Sequence, residues 1–168
     1  MSAIISTPVR ARWLPRLLSG KPHQLIGDTH APYLLRWYLL PPNRHLNLYL
    51  HQFHRSDDPP ELHDHPWDFA SLVIAGSYVE ITETSAAPRR PGTVAIRRAE
   101  HRHRIQLRCG PSGRPRRCWS LVLTGPHRRQ WGFWSPTADG PPRFTPGQMF
   151  GTTDPATQPT HHETRVEP

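Results

Sequence analysis

Apolar positions in this chain come in short bursts, not in long periodic stretches. Eight runs, at 33–40, 46–55, 68–76, 78–84, 92–98, 103–108, 118–125 and 130–134, are rich in β-branched or aromatic residues, and each is bounded by Pro, Gly, Asn or Asp. That is the pattern of strands separated by turns, and no segment reads as a long helix. Eight strands within 33–136 predict one all-β domain, a sandwich or small barrel. The opening stretch "ISTPVRARWLPRLLSG" is basic and faintly amphipathic. Its prolines argue against a continuous helix, so 1–32 is expected to form an N-terminal arm. From 137 to 168 the aliphatics give way to Pro, Thr, Gly and Asp, which predicts a weakly structured C-terminal tail.

Composition narrows the function classes. A chain of 168 residues suits one domain, and six Trp, four Tyr and five Phe supply large side chains for its core. The formal charge is +8, yet of the 21 cationic residues only Lys21 is a lysine. The arginines are scattered, with no basic tract, so a nucleic-acid partner is not favoured. No apolar run reaches the ~20 residues of a membrane-spanning helix. Cys109 and Cys118 bracket a Gly/Pro/Arg loop and are expected as free thiols in a cytoplasmic protein, since no secretory signal is read at the start.

The candidate chemistry lies in the histidines. In "ELHDHPWDF", residues 61–69, His63 and His65 are two apart, so on a strand both face the same side and can offer imidazole nitrogens to one ion. Among 12 histidines in 168 residues one such pair is a weak signal. A second cluster adds weight: "GTVAIRRAEHRHRIQL" runs from Gly92 through a strand and returns with His101 and His103. His45, His54, His127, His161 and His162 read as surface residues.

Together the two stretches resemble the paired motifs of the cupin superfamily. Against G(X)5HXH(X)3,4E(X)6G, Asp57 takes the opening Gly position, His63 and His65 match, Phe69 falls where Glu belongs, and Gly76 closes the motif. Against G(X)5PXG(X)2H(X)3N, Gly92 and His103 match, while Arg98, Glu100 and Leu107 replace Pro, Gly and Asn. The 15 residues from Ser77 to Pro91 match the short spacer of small cupins. The resemblance implies a double-stranded β-helix (jelly-roll) barrel and a metal ion held by His63, His65 and His103. With Phe69 in the acidic position the site offers three neutral imidazoles, leaving about three positions open on an octahedral ion. A fourth ligand would have to come from Asp68, His51, His101 or Glu80. Asp68 has the wrong strand parity without a bulge, whereas His51 shares a strand face with Tyr49 and Phe53.

The resemblance further implies a metal-dependent enzyme acting on a small polar or anionic molecule, with an Fe(II) three-histidine oxygenase or dioxygenase-like oxidoreductase as the leading expectation. Arg98, with Arg97, would orient an anionic group. A zinc- or nickel-dependent isomerase, epimerase or lyase is the alternative, in which Asp68, Glu80 or Tyr49 moves a proton. A non-catalytic metal- or ligand-binding module, in a biosynthetic cluster or a phage, is the third reading. Asp68, Tyr49 and Arg98 are thus the candidate catalytic residues. A homodimer is compatible with all three.

Overall fold

The computed structural model describes residues 9–58 and 60–147, and the remainder of the chain, including His161 and His162, lies outside the described residues. One helix, α1 (Val9–Leu18), precedes twelve strands: β1 (Gln24–Gly27), β2 (Pro32–Tyr38), β3 (Asn47–Phe53), β4 (Leu62–His63), β5 (Phe69–Ala75), β6 (Tyr78–Ile81), β7 (Ala86–Arg89), β8 (Val94–Arg97), β9 (Arg104–Leu107), β10 (Cys118–Thr124), β11 (Gly132–Ser135) and β12 (Arg143–Pro146). All strand pairs are antiparallel. A six-stranded sheet in the order β1-β2-β3-β10-β5-β8 forms one layer. Two three-stranded sheets, β12-β11-β4 and β7-β6-β9, form the other, and a backbone bridge between His63 and His103 joins them. The architecture is a double-stranded β-helix, all-β as the strand pattern predicts.

Strand register explains where the interior is greasy and where it is polar. Leu34, Phe53 and Cys118 lie side by side across β2, β3 and β10. With Val73 they meet Tyr78, Ile105 and Leu107 of β6 and β9, making the buried cluster between the layers. Each such side chain contributes about 2 kcal/mol by leaving water. One register step on, the same inner face carries Arg36, His51 and Ser120, and the next step carries Tyr38, Tyr49 and Val122. The inner face therefore changes from apolar to largely polar side chains within two rows.

Two turns need glycine. Gly76, between β5 and β6, sits at φ 76°, and a Cβ there would run into the Arg117 carbonyl oxygen. Gly92, before β8, sits at φ 86° with open space around it. Both hold the left-handed conformation that other residues resist.

The expectation of a non-helical arm is corrected. α1 is continuous through Pro15, which lacks the N–H for one helical hydrogen bond. Contacts to the body of the protein offset that loss: Trp13 Nε1 donates to the Tyr38 carbonyl at 2.7 Å, His23 Nε2 bonds the Trp13 carbonyl at 3.0 Å, and Arg16 Nε donates to the Pro22 carbonyl at 2.7 Å. β1 then pairs with β2, so this part of the chain extends the large sheet. At the other end β12 pairs with β11, carrying regular structure to residue 146. Among the described residues no helix is long and apolar enough to cross a membrane, and both cysteines are free.

Candidate metal centre

The chain brings His63, His65 and His103 to one place by backbone pairing. His63 and His103 exchange both backbone hydrogen bonds at 2.9 Å, which sets their side chains on the same side of the bridge. The extended chain continues past β4, where His65 N donates to the Ala99 carbonyl at 3.0 Å. The three ring centroids are 5.0–5.1 Å apart, and one nitrogen from each ring can be chosen so that all lie within 4.8 Å of one another.

Buried carboxylates behind the rings fix their orientation. Glu80, on β6 and only 3% exposed, accepts from His103 Nδ1 at 2.9 Å. An ionised carboxylate only accepts, so His103 carries its proton on Nδ1 and turns a lone pair outward on Nε2. That Nε2 faces His65 Nε2 at 2.9 Å. Two ligands ~2.1 Å from one ion and at right angles to each other stand ~3.0 Å apart, so the pair fits neighbouring coordination positions. Asp57 plays a weaker version of the same part, with Oδ2 3.6 Å from His63 Nδ1. It is itself anchored by the Ile105 backbone N–H at 2.6 Å and by the Tyr33 hydroxyl.

Electrostatics keep this group ready for a cation. Burial, then the neighbouring His103 and His63, pushes the His65 pKa well below its ordinary value, leaving a neutral imidazole. For Glu80, burial pushes the pKa up, but hydrogen bonds from His103, Arg97 and Arg89 outweigh it and hold the carboxyl well below the usual range. Arg89 Nε and Arg97 Nη2 each reach Glu80 Oε2 at 2.8 Å. His101 Nε2 stands 3.4 Å from Glu80 Oε1, so Glu80, His101 and His103 form a second group able to hold an ion behind the first. Burial lowers the His101 pKa as well. An open cleft of about 580 Å³ reaches Glu80 and His101, and its walls do not include His63, His65 or His103.

Phe69 occupies the quarter where an acidic ligand would stand. Its ring lies edge-on to His65 with centroids 4.6 Å apart, and 5.8 Å from that of His103. The donor set is therefore three imidazoles, a combination suited to a first-row transition metal, and the group can hold one divalent ion.

The structure redistributes the other sequence candidates. Asp68 accepts from the Ala99 backbone N–H at 2.8 Å, from Arg128 at 2.7 Å and from Arg98 at 3.2 Å, a surface cluster in which the Arg98 side chain is 80% exposed. Asp68 and Arg98, expected to move a proton and to orient an anion, thus lie in this cluster and not beside the three histidines. Arg97 is committed to Glu80. Tyr49 does face the interior, stacked on His51 at 5.6 Å. His51 is buried on the opposite sheet and accepts from Arg36 Nε at 2.9 Å, so it is committed to Arg36.

Sequence reasoning passed over Asp64, which is fully buried between the two ligands. Its strand parity is opposite to theirs, so it points away from the ion site. It accepts from the Gly132 N–H at 2.8 Å, Trp134 Nε1 at 2.9 Å and Arg129 Nη1 at 2.6 Å, tying β4 to β11. The signal was present in the HxH spacing itself: the middle residue must face the other way.

The fold is a double-stranded β-helix that carries a three-histidine group, at a spacing that resembles the paired cupin motifs. No protein-family model and no curated protein matches the chain. Solved structures it is similar to include a candidate mannose-6-phosphate isomerase from Ralstonia eutropha JMP134, at 22% identity over 60% of this chain and 91% of that one, TM-score 0.49. KdgF from Halomonas sp. is 17% identical over 61% and 88%, TM-score 0.46. A cupin superfamily protein from Desulfitobacterium hafniense DCB-2 is 18% identical over 55% and 76%, TM-score 0.44.

Proposed function

We propose that the protein is a metal-dependent enzyme of small-molecule metabolism, an Fe(II) three-histidine oxygenase or oxidoreductase. The observation that carries this reading is the convergence of His63, His65 and His103 with Phe69 where a carboxylate ligand would be. His63, His65 and His103 would hold a divalent ion through neutral imidazoles, and a ferrous ion held there would supply oxygen-dependent redox chemistry. The chain would supply orientation: Glu80 holds His103, Asp57 steadies His63, and the polar side chains of Tyr49, His51 and Arg36 on the inner face would meet the small molecule.

The test is metal analysis of untagged protein, followed by anaerobic Fe(II) loading and titration with nitric oxide, a probe of open positions. Iron uptake at one ion per chain and a nitric oxide spectrum, both lost in His65→Ala, are expected. Full activity with zinc in the absence of oxygen would overturn the oxygenase reading in favour of an isomerase, epimerase or lyase.

A further inference from the structure

Among the described residues, one arginine inside the barrel, Arg36, has no anion to balance it. Arg36 of β2 lies in register with His51 of β3, which in turn lies in register with Ser120 of β10, and both partners are buried. Arg36 is partly buried on the inner face, and among the described residues no carboxylate comes within ion-pair distance of it. Other arginines around the histidine cluster are already paired: Arg89 and Arg97 with Glu80, Arg129 with Asp64.

The guanidinium is nevertheless held in a defined position. Nε donates to His51 Nε2 at 2.9 Å, Nη1 donates to Gln24 Oε1 at 3.0 Å, and the group lies over the Tyr49 ring at 4.9 Å. These contacts use two of its five N–H donors and fix its plane, leaving Nη2 without a partner among the described residues. Its supports are neutral: a glutamine, a tyrosine face and an imidazole that burial and the Arg36 charge keep unprotonated. A second polar pair lies on the same inner face: Thr124 Oγ1, only 1% exposed, is near the Tyr49 hydroxyl. Phe69, whose ring packs against His65, pairs with Thr124 of β10, and Ser120 on the same face of β10 pairs with His51, the register partner of Arg36, so the arginine and the histidine cluster line one inner face.

We infer that Arg36 binds the anionic group, a carboxylate or a phosphate, of the small molecule that enters the barrel beside the three histidines. A partly desolvated guanidinium without a counter-ion is costly, and two oxygens of a carboxylate or phosphate taking its free edge restore the balance through a charge-assisted, two-point contact. Thr124 and Tyr49 would supply further hydrogen bonds. The inference rests on the reading of His63, His65 and His103 as the reaction site. It makes Arg36 the specificity-determining residue of that site.

The experiment titrates metal-free full-length protein with inorganic phosphate, followed by 31P NMR, and with 13C-labelled acetate, followed by 13C NMR. Saturable millimolar binding of one anion is expected, and which one binds distinguishes the phosphate from the carboxylate source. Arg36→Gln should weaken it at least tenfold, while Arg98→Gln, which alters an exposed arginine, should leave it unchanged. Arg36→Lys, which keeps the charge but not the fork, should give an intermediate loss and serves as the readout if Arg36→Gln fails to fold. Absence of saturable binding, or Arg36 variants binding like the wild type, would overturn the inference. A parallel metal titration separates the two readings: metal uptake without anion binding sinks this inference alone, and anion binding without metal uptake sinks the proposed function alone.

Discussion

Glu80 and His103 meet at 2.9 Å, and that contact determines which nitrogen of His103 is free to bind an ion. The carboxylate fixes the proton on Nδ1, the lone pair turns to Nε2, and Nε2 faces His65. Glu80 reaches this geometry because β6 pairs with β9, which follows His103 directly. It keeps its charge because Arg89 and Arg97 close around it.

Glu80→Gln should therefore act on both the site and the fold. The amide can still meet His103, but it no longer dictates the tautomer and no longer neutralises two arginines. Metal affinity should fall roughly 10–100-fold, and stability should drop by about 3 kcal/mol. Chelator competition checks the first and urea denaturation the second. Loss of stability with unchanged metal affinity would make Glu80 a structural residue only.

Acid should destabilise the protein through His51. Burial first, then the charge of Arg36, holds its pKa well below the ordinary 6.5. As pH falls through 6.5 the unfolded chain takes up a proton at this position and the folded chain does not. The contribution is thus complete above the unfolded pKa and is lost on acidification, by up to about 1.4 kcal/mol per pH unit. His51→Gln should reduce the slope of unfolding free energy against pH by about that amount. Urea melts across the acid range measure it, and an unchanged slope would mean that the folded protein accommodates a protonated His51.

The two motif glycines should respond differently to the same change. Gly76→Ala places a Cβ against the Arg117 backbone at a positive φ and should cost well over ~1 kcal/mol. Gly92→Ala meets only the conformational penalty, about 1 kcal/mol, because nothing stands within 4 Å of its Cβ position. Thermal melts of the two variants should rank in that order.

All eight runs read as strands are strands. Six of them have a strand on each side and carry runs of β-branched and aromatic residues, and the edge strands β8 and β9 keep such runs as well. The four strands not anticipated, β1, β4, β7 and β12, all lie at sheet edges. There pairing on one side only leaves little pattern, and β7 can even hold Pro88. The histidines that meet were readable from motif spacing, since i and i+2 must share a face. Their supports were not: Glu80 arrives from another hairpin, Asp57 lies ahead of β4, and Arg36 is set opposite by the β2–β3 register. Asp68 and Arg98 adjoin the motif residues in sequence, but adjacency on a strand sends neighbours to opposite faces, and the two meet in an ion pair away from the three histidines.

Phe69 offers the sharpest test of the three-histidine arrangement. Its ring packs against His65 and His103 in the place where a carboxylate would complete a four-ligand set. Phe69→Glu should therefore bring a negative oxygen donor to the ion. Without metal, the variant loses a buried ring and gains a poorly solvated carboxyl, so its stability should fall by about 3 kcal/mol or more. With a divalent metal present, the new ligand should raise affinity at least tenfold, and the added metal should lift the variant's melting temperature further than it lifts that of the wild type. Chelator competition and paired thermal melts read the two effects separately. If affinity falls, position 69 does not face the coordination space, and the three imidazoles are not arranged around an ion on that side.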